Sequence, residues 1–309
     1  MVMLSKKSIL SIADISAEDV LQILETADSF TGISKREIKK VPTLRGKTVV
    51  NLFFEPSTRT RTSFEVAAKR LSADMINFTA SSSSLKKGES IMDTVRTILA
   101  MQVDLLVMRH NQSGAARMVD KMIEIPVINA GDGKHQHPTQ ALLDLFTIKE
   151  RFGKFAGLKV AIAGDFLNSR VARSDIMLFE EMGMEVTLVA PTMLLPEDFA
   201  GFKVESSIDD VIESTDILYM LRMQFERQDR KFYPSVEEYN RFLSLNSSRI
   251  KKMKAGAVVM HPGPVNRGIE ITDEVMGGRK SPFDNVLIED QVTSGVAVRM
   301  ALLYHILGQ

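Results

Sequence analysis

The chain has 309 residues, 44% of them hydrophobic and 25% charged, with 39 basic and 39 acidic side chains and a formal net charge of zero. At roughly 100–200 residues per domain, this length predicts two domains, with one large domain as the alternative. The composition excludes a disordered or fibrous chain, and the charge balance argues against nucleic-acid binding through an overall positive field. The absence of cysteine rules out disulfides, thiol catalysis and cysteine-ligated zinc or iron–sulfur sites. No apolar run approaches the roughly 20 residues of a membrane span, and no signal-peptide pattern is evident. A cytoplasmic protein without membrane contact is the expectation.

Ser16 and Asp19 form a capping-box pattern ahead of Val20, Ile23, Leu24 and Ala27, which predicts a helix over 15–30. After a turn at 44–47, residues 48–54 read as a strand covered on both faces, with Asn51 its one polar interruption. The segment Ser57-Thr58-Arg59-Thr60-Arg61 leads into a helix marked by Phe64, Ala67, Ala68 and Leu71. A strand over 73–78, a polar loop over 80–89, a helix over 91–101 and a strand over 104–108 follow. Next come a helix over 115–122, a strand over 127–129, a loop over 130–138 and a helix over 139–152.

A break at 153–157 restarts the alternation. Strands are predicted over 158–163, 185–189, 217–220 and 257–260, with helices over 171–182, 208–213 and 239–253 and a loop over 229–234. A helix over 291–307 closes the chain. This order predicts an α/β protein of two doubly wound domains, each a parallel sheet flanked by helices. The boundary falls in or just after the helix over 139–152.

Residues 57–61 carry the strongest local signal. Hydroxyls and guanidiniums line a helix start, where free N–H groups and the helix dipole already favour an anion. Ser57, Thr58 and Thr60 supply donors, and Arg59 supplies a rigid fork suited to phosphate oxygens. The alternative is a plain helix cap with solvent-facing arginines. GxxxxGK[ST] is absent, so this is no P-loop. Arg109 and His110 follow a strand, as ligand groups do in open α/β sheets and as surface residues also do. His135 and His137 are too few for a strong metal site, and a hydrogen-bonding histidine at the helix start reads better. Gly164-Asp165-Phe166-Leu167-Asn168-Ser169-Arg170 lacks the glycines of a dinucleotide site. Arg170, and the pair Arg222 and Gln224, could face a carboxylate or solvent. His261-Pro262-Gly263-Pro264 is a rigid loop that can present carbonyl oxygens. No paired carboxylates and no G-x-S-x-G elbow are evident. Cationic and dipolar stabilisation of an anion fits this pattern better than covalent catalysis.

These clusters, in this order, resemble the aspartate/ornithine carbamoyltransferase family over essentially the whole chain. Ser57-Thr58-Arg59-Thr60-Arg61 with Ser63-Phe64-Glu65 is similar to its carbamoyl-phosphate signature, and His137-Pro138-Thr139-Gln140 with Leu143-Asp144 to a second motif. Arg222-Met223-Gln224 and His261-Pro262-Gly263-Pro264-Val265-Asn266-Arg267-Gly268 resemble the aspartate branch. The Ser-Met-Gly and His-Cys-Leu-Pro loops of the ornithine branch are absent. Two carboxylates on the acceptor want arginines, whereas ornithine's ammonium would want an acid. Gly263 replaces a leucine of some enteric-type members, which bears on association with a regulatory chain and not on the reaction.

The resemblance implies a carbamoyl-phosphate domain over 1–146, on which a helix over 291–309 packs back, and an aspartate domain over 147–290, the two joined by interdomain helices. It implies that Ser57, Thr58, Arg59, Thr60 and Arg109 hold the phosphate. Arg109, His137 and Thr60 would meet the carbamoyl oxygen, while Gln140 and the carbonyls of Pro262 and Gly263 hold its amino group. Arg170, Arg222 and Gln224 would hold the carboxylates of L-aspartate. Ser83 and Lys87 would enter a neighbouring subunit's site, which requires at least a homotrimer, and Lys87 would also meet aspartate. Arg59, Thr60, Lys87, Arg109 and His137 form the implied catalytic set. Glu55 and Arg227 match residues that hold a closed, two-domain state. The implied reaction is carbamoyl transfer in pyrimidine biosynthesis, with neither metal nor organic cofactor. A larger assembly with regulatory chains or a dihydroorotase stays open. So do two other readings, transfer to another amine and a non-enzymatic paralogue.

Overall fold

Short apolar runs separated by helices build two parallel sheets in the computed structural model, which describes residues 4–79, 90–224, 235–278 and 280–308. The predicted loops over 80–89 and 229–234, and with them Ser83, Lys87 and Arg227, lie outside the described residues. The chain divides into two units, Met1–Phe146 with Val292–Gln309, and Thr147–Gln291. Among the described residues no helix is long and apolar enough to cross a membrane.

In the first unit, α1 (Ala17–Thr31) carries the predicted capping box, with Ser16 and Asp19 bonding reciprocally. Its apolar stripe, Val20, Ile23, Leu24 and Ala27, is buried. The sheet is formed by β1 (Thr48–Phe53), β2 (Asp74–Thr79), β3 (Leu105–His110) and β4 (Val127–Asp132) in the order β2-β1-β3-β4. The helices α2 (Thr58–Arg70), α3 (Ile91–Leu99) and α4 (Ala115–Asp120) connect them, and α5 (Pro138–Phe152) follows β4. Val50 and Leu52 pack with Val95, Ile98, Leu106, Met108, Val119 and Val127 in one continuous apolar layer.

The second unit arranges β5 (Lys159–Ala163), β6 (Glu185–Val189), β7 (Lys203–Glu205), β8 (Ile217–Met220) and β9 (Val258–Met260) in the order β7-β6-β5-β8-β9. Here α6 (Arg170–Glu181) follows β5, and α7 (Val236–Leu243), α8 (Ser247–Ile250) and α9 (Asp273–Met276) complete the helices. The closing helix α10 (Ile288–Leu307) contains the second unit boundary, as α5 contains the first.

Four expectations need correction. The single helix over 239–253 is broken into α7 and α8. At the break, Leu245 donates to the Glu270 carbonyl and accepts from Thr272, and Asn246 caps α8. The buried Arg249 holds this break open, donating to the carbonyls of Asn240, Arg241 and Ser244 while it pairs with Asp209 at 2.6 Å. A side chain thus satisfies the orphan carbonyls of α7. The short helix over 208–213 is one 3₁₀ turn, Ile208–Asp210. β7 escaped the pattern because a three-residue edge strand flanked by Lys203 and Glu205 has no apolar periodicity. Finally, β3 and β4 run further than expected, so that Arg109, His110 and Asp132 are strand residues rather than loop residues.

Asn51 explains the polar gap in β1. Fully buried, it donates through Nδ2 to Asn77 Oδ1 (2.8 Å) and to the Arg61 carbonyl (3.2 Å), tying α2 to the sheet. Asn51→Ala is expected to lower stability by about 1 kcal/mol, since the two hydrogen bonds that tie α2 to the sheet are lost. Urea melts check this, and an unchanged midpoint would remove Asn51 from that role.

Candidate functional site

Both sheets reverse their direction of growth at one place. In the first, the chain steps from β1 to β2 on one side and then to β3 on the other; in the second, β5 leads to β6 and β7, then to β8 across it. Open α/β sheets bind ligands outside the carboxyl ends of strands at such switch points. Every described site residue predicted from sequence falls at these ends.

In the first unit, four residues, 54–57, separate the end of β1 from the start of α2. Ser57 occupies its N-cap position, yet its side chain makes no capping bond, and the first turn holds no acidic residue. The helix start therefore keeps its attraction for an anion. Thr58 and Arg59 are exposed, Ser57 is half-buried and Thr60 is buried. Phe53 is the register partner of Arg109, which brings the 54–57 loop beside the end of β3. Arg109 is no solvated surface arginine. Its side chain is 14% exposed, pairs with Glu55 at 2.8 Å and donates to the Ala130 carbonyl at 3.1 Å. Glu55, matched to domain closure in sequence, thus contacts Arg109 within this unit.

The β4–α5 connection delivers His137 and Gln140, both buried. Pro138 begins α5, where a missing N–H costs nothing, and the His137 carbonyl accepts from Gln140 at 2.9 Å. Gln140 Nε2 donates to both oxygens of buried Asp144 at 3.1 Å. The loop itself is organised by Asp132, which accepts from Gly114 N (2.6 Å), Asn129 Nδ2 (2.7 Å) and Gln136 N (3.2 Å). Burial pushes the Asp132 carboxyl up, but hydrogen bonds from His135, Asn129 and Gly114 outweigh it and leave the group below its ordinary value. His135 turns its Nδ1 to this carboxylate at 3.1 Å.

In the second unit, the ends of β5 and β8 approach closely. A side chain at Gly164 would come within 3.0 Å of Leu221, and Gly164 has a φ of +132°, so glycine is required there. Asp165, fully buried, accepts from Asn168 N (3.1 Å), Asn168 Nδ2 and Gln224 N (3.4 Å). Arg170 opens α6 behind the Ser169 cap and is 3% exposed, so it is not a surface arginine. Arg222 and Gln224 follow β8, half-buried. Pro262 and Gly263 follow β9, where the Gly263 N–H donates to His261 Nδ1 at 2.7 Å.

Three groups escaped the sequence pattern. Asp132 fell in a segment read as loop. Arg299 hides in an apolar helix, its charge on a buried face; it donates to Ser63 Oγ (2.9 Å) and lies over the Phe64 ring at 5.1 Å, bracing α2. Burial pushes it down to about 10, with the Asp144 charge opposing that and the Arg109 charge adding to it. Glu270, at 0% exposed, accepts from Met223 and Asn266. Only an unexpected charge among apolar residues could have flagged these positions.

His110 ends β3 beside Arg109, packs against Phe54 with the rings tilted at 57° (4.9 Å between centroids) and accepts from Gln112 N through Nδ1 at 2.9 Å. Burial holds it below the ordinary histidine pKa, against the Glu55 and Asp132 charges. Below about pH 6.5 the unfolded chain therefore binds a proton that folded His110 does not, and stability falls on acidification. Buried His305 acts with the same sign. The Tm is expected to fall between about pH 7 and pH 5. The slope should be shallower in His110→Asn, whose oxygen can still accept from Gln112; equal slopes would refute the assignment.

Comparison with known proteins agrees with this layout. The family model described as aspartate/ornithine carbamoyltransferase, carbamoyl-P binding domain, matches residues 7–150, and its Asp/Orn binding domain counterpart matches 156–306. The chain is 52% identical over 305 residues to the aspartate carbamoyltransferase catalytic subunit of Syntrophus aciditrophicus, covering 98% of each. Among solved structures it resembles the aspartate transcarbamoylase of Trypanosoma cruzi in complex with carbamoyl phosphate, with a TM-score of 0.90 and 32% identity over 98% of this chain and 97% of that one. The same protein in complex with N-(phosphonacetyl)-L-aspartic acid gives a TM-score of 0.88 at 30% identity, with coverage of 98% and 97%.

Proposed function

The chain belongs to the aspartate/ornithine carbamoyltransferase family, and from that premise we propose that it transfers the carbamoyl group of carbamoyl phosphate to the α-amine of L-aspartate. The products are N-carbamoyl-L-aspartate and phosphate, a step of pyrimidine biosynthesis. The observation that carries the choice of acceptor is the placement of Arg170 and Arg222 in the segments that follow β5 and β8, the adjacent strands at which the second sheet reverses its growth. Two arginines suit the two carboxylates of aspartate and oppose the side-chain ammonium of ornithine.

On this reading Ser57, Thr58, Arg59, Thr60 and Arg109 hold the phosphate, and the α2 N-terminus stabilises the charge it gains on leaving. Thr60, Arg109 and His137 donate to the carbonyl oxygen of the carbamoyl group, where negative charge grows as the amine attacks. Gln140 and the Pro262 and Gly263 carbonyls hold its amino group. Arg170, Arg222 and Gln224 orient aspartate. Holding both reactants in register supplies much of the rate. His137 serves as a donor, and a phosphate oxygen of the substrate accepts the proton of the amine. Residues 1–146, with the closing helix, take carbamoyl phosphate, and 147–290 take aspartate; the division of the chain at Phe146 and Gln291 supports this. Ser83 and Lys87 are lent to a neighbouring subunit in a homotrimer, and Glu55 and Arg227 hold a closed state. A cytoplasmic location goes with this reading.

A ureido colour assay with L-aspartate and L-ornithine in parallel tests the acceptor, and turnover with ornithine alone would overturn it. Arg59→Ala is expected to lower turnover by roughly 100- to 1,000-fold or more with the fold intact. Near wild-type activity would reject the phosphate site. Inactive Arg59→Ala and Lys87→Ala chains, mixed under subunit exchange, are expected to regain activity. No recovery despite demonstrated exchange would refute a shared site.

A further inference from the structure

The carboxylate of Glu270 takes no part in the chemistry above, yet it is fully buried within the second unit. Its Oε1 accepts from Met223 N at 2.7 Å and from Asn266 Nδ2 at 2.6 Å, and its Oε2 accepts from Asn266 N at 2.6 Å. Asn266 Nδ2 also donates to the Met223 carbonyl at 3.1 Å. Met223 is the residue between Arg222 and Gln224. Its N–H belongs to the 222–223 peptide, and its carbonyl to the 223–224 peptide. Glu270 therefore fixes the first peptide and Asn266 the second, which Asp165 also holds through Gln224 N at 3.4 Å. Rotation of either peptide would change the direction in which Arg222 or Gln224 leaves the main chain.

We propose that Glu270, acting with Asn266, is a positioning residue for L-aspartate: it locks the Met223 backbone so that Arg222 and Gln224 are presented together to the substrate carboxylates. This rests on the acceptor reading of the preceding subsection. Stability is a poor reason for such a group. Burial pushes the Glu270 carboxyl up to about 7, against the hydrogen bonds from Met223 and Asn266 that pull it down. Well-packed apolar side chains in place of buried ionic groups are often as stabilising or more so. What it supplies is geometry, since two loops far apart in sequence are joined at one residue, with every bond an N–H donated to oxygen.

The test is steady-state kinetics on the full-length assembly, with inorganic phosphate binding measured alongside. In Glu270→Gln an amide nitrogen must face an N–H donor, whichever way the side chain turns. A lost positioning bond is expected to raise KM for L-aspartate roughly ten- to hundred-fold. The Kd for inorganic phosphate, which depends on Ser57–Thr60 and Arg109, should stay within about two-fold. Asn266→Ala, at a half-buried position, is expected to shift the same parameter in the same direction. Soluble, folded variants with wild-type KM for aspartate would overturn the proposal. So would parallel weakening of phosphate binding, or failure of both variants to fold, since either would make the clamp a general stability feature. A wild-type chain inactive toward aspartate would reject the acceptor reading itself, an outcome distinct from an active wild type with unaltered variants.

Discussion

A guanidinium withdrawn from water must be met by oxygen atoms, because an uncompensated buried charge costs several kcal/mol. The structure meets this demand in two ways. Arg249 is surrounded by three main-chain carbonyls and Asp209, which makes it a brace between α7 and α8. Arg299 is likewise committed to protein groups, through Ser63, the Gly295 carbonyl and the face of Phe64. Arg109 is also met by protein oxygens, those of Glu55 and the Ala130 carbonyl, but it, Arg59, Arg170 and Arg222 lie at or just beyond the carboxyl ends of parallel strands, where helix starts and loop N–H groups attract negative charge. Position on the sheet, more than burial alone, separates the arginines that hold the fold from those that suit a ligand.

The two units solve the positioning problem alike. In each, a buried aspartate at the end of a strand gathers the N–H groups of the following loop. Asp132 does so at β4 and Asp165 at β5. The loops so shaped deliver His137 and Gln140 in one unit and Arg170 in the other. A loop carrying function must have a fixed path, and a carboxylate accepting several main-chain N–H groups fixes it without occupying the ligand's space. Hydrogen bonding to the charged form also explains why Asp132 stays below its ordinary pKa despite burial.

Much of this was legible in the chain. The alternation of apolar runs and helical patterns gave the α/β class, because a strand covered on both faces has a different period from the helix that covers it. The place of the 57–61 segment, between the end of β1 and the first turn of α2, was also legible. The break between α7 and α8 did not show, because its cause is largely tertiary: besides the local Asn246 cap, the Arg249 contacts and the pairing of Leu245 with the 270–272 segment interrupt the helix. β7 was hidden by its length and its charged ends, and the last residues of β3 and β4 were read as loop because polar residues there signal a site as readily as a turn.

The groups that sequence reading missed share one property. The candidate site residues come in short motifs because the segment after a single strand delivers them. Their supports come from wherever the fold brings the chain back. Arg299 reaches Ser63 across 236 residues, and Glu270 reaches Met223 across 47. A local pattern therefore reports what the site can bind, while how firmly the site holds its shape is written in pairs that no window of sequence contains. Asn51 is the intermediate case. Its place in an apolar strand was visible, but its partners Asn77 and Arg61 were not, and those partners turn a polar interruption into a tie between the sheet and α2.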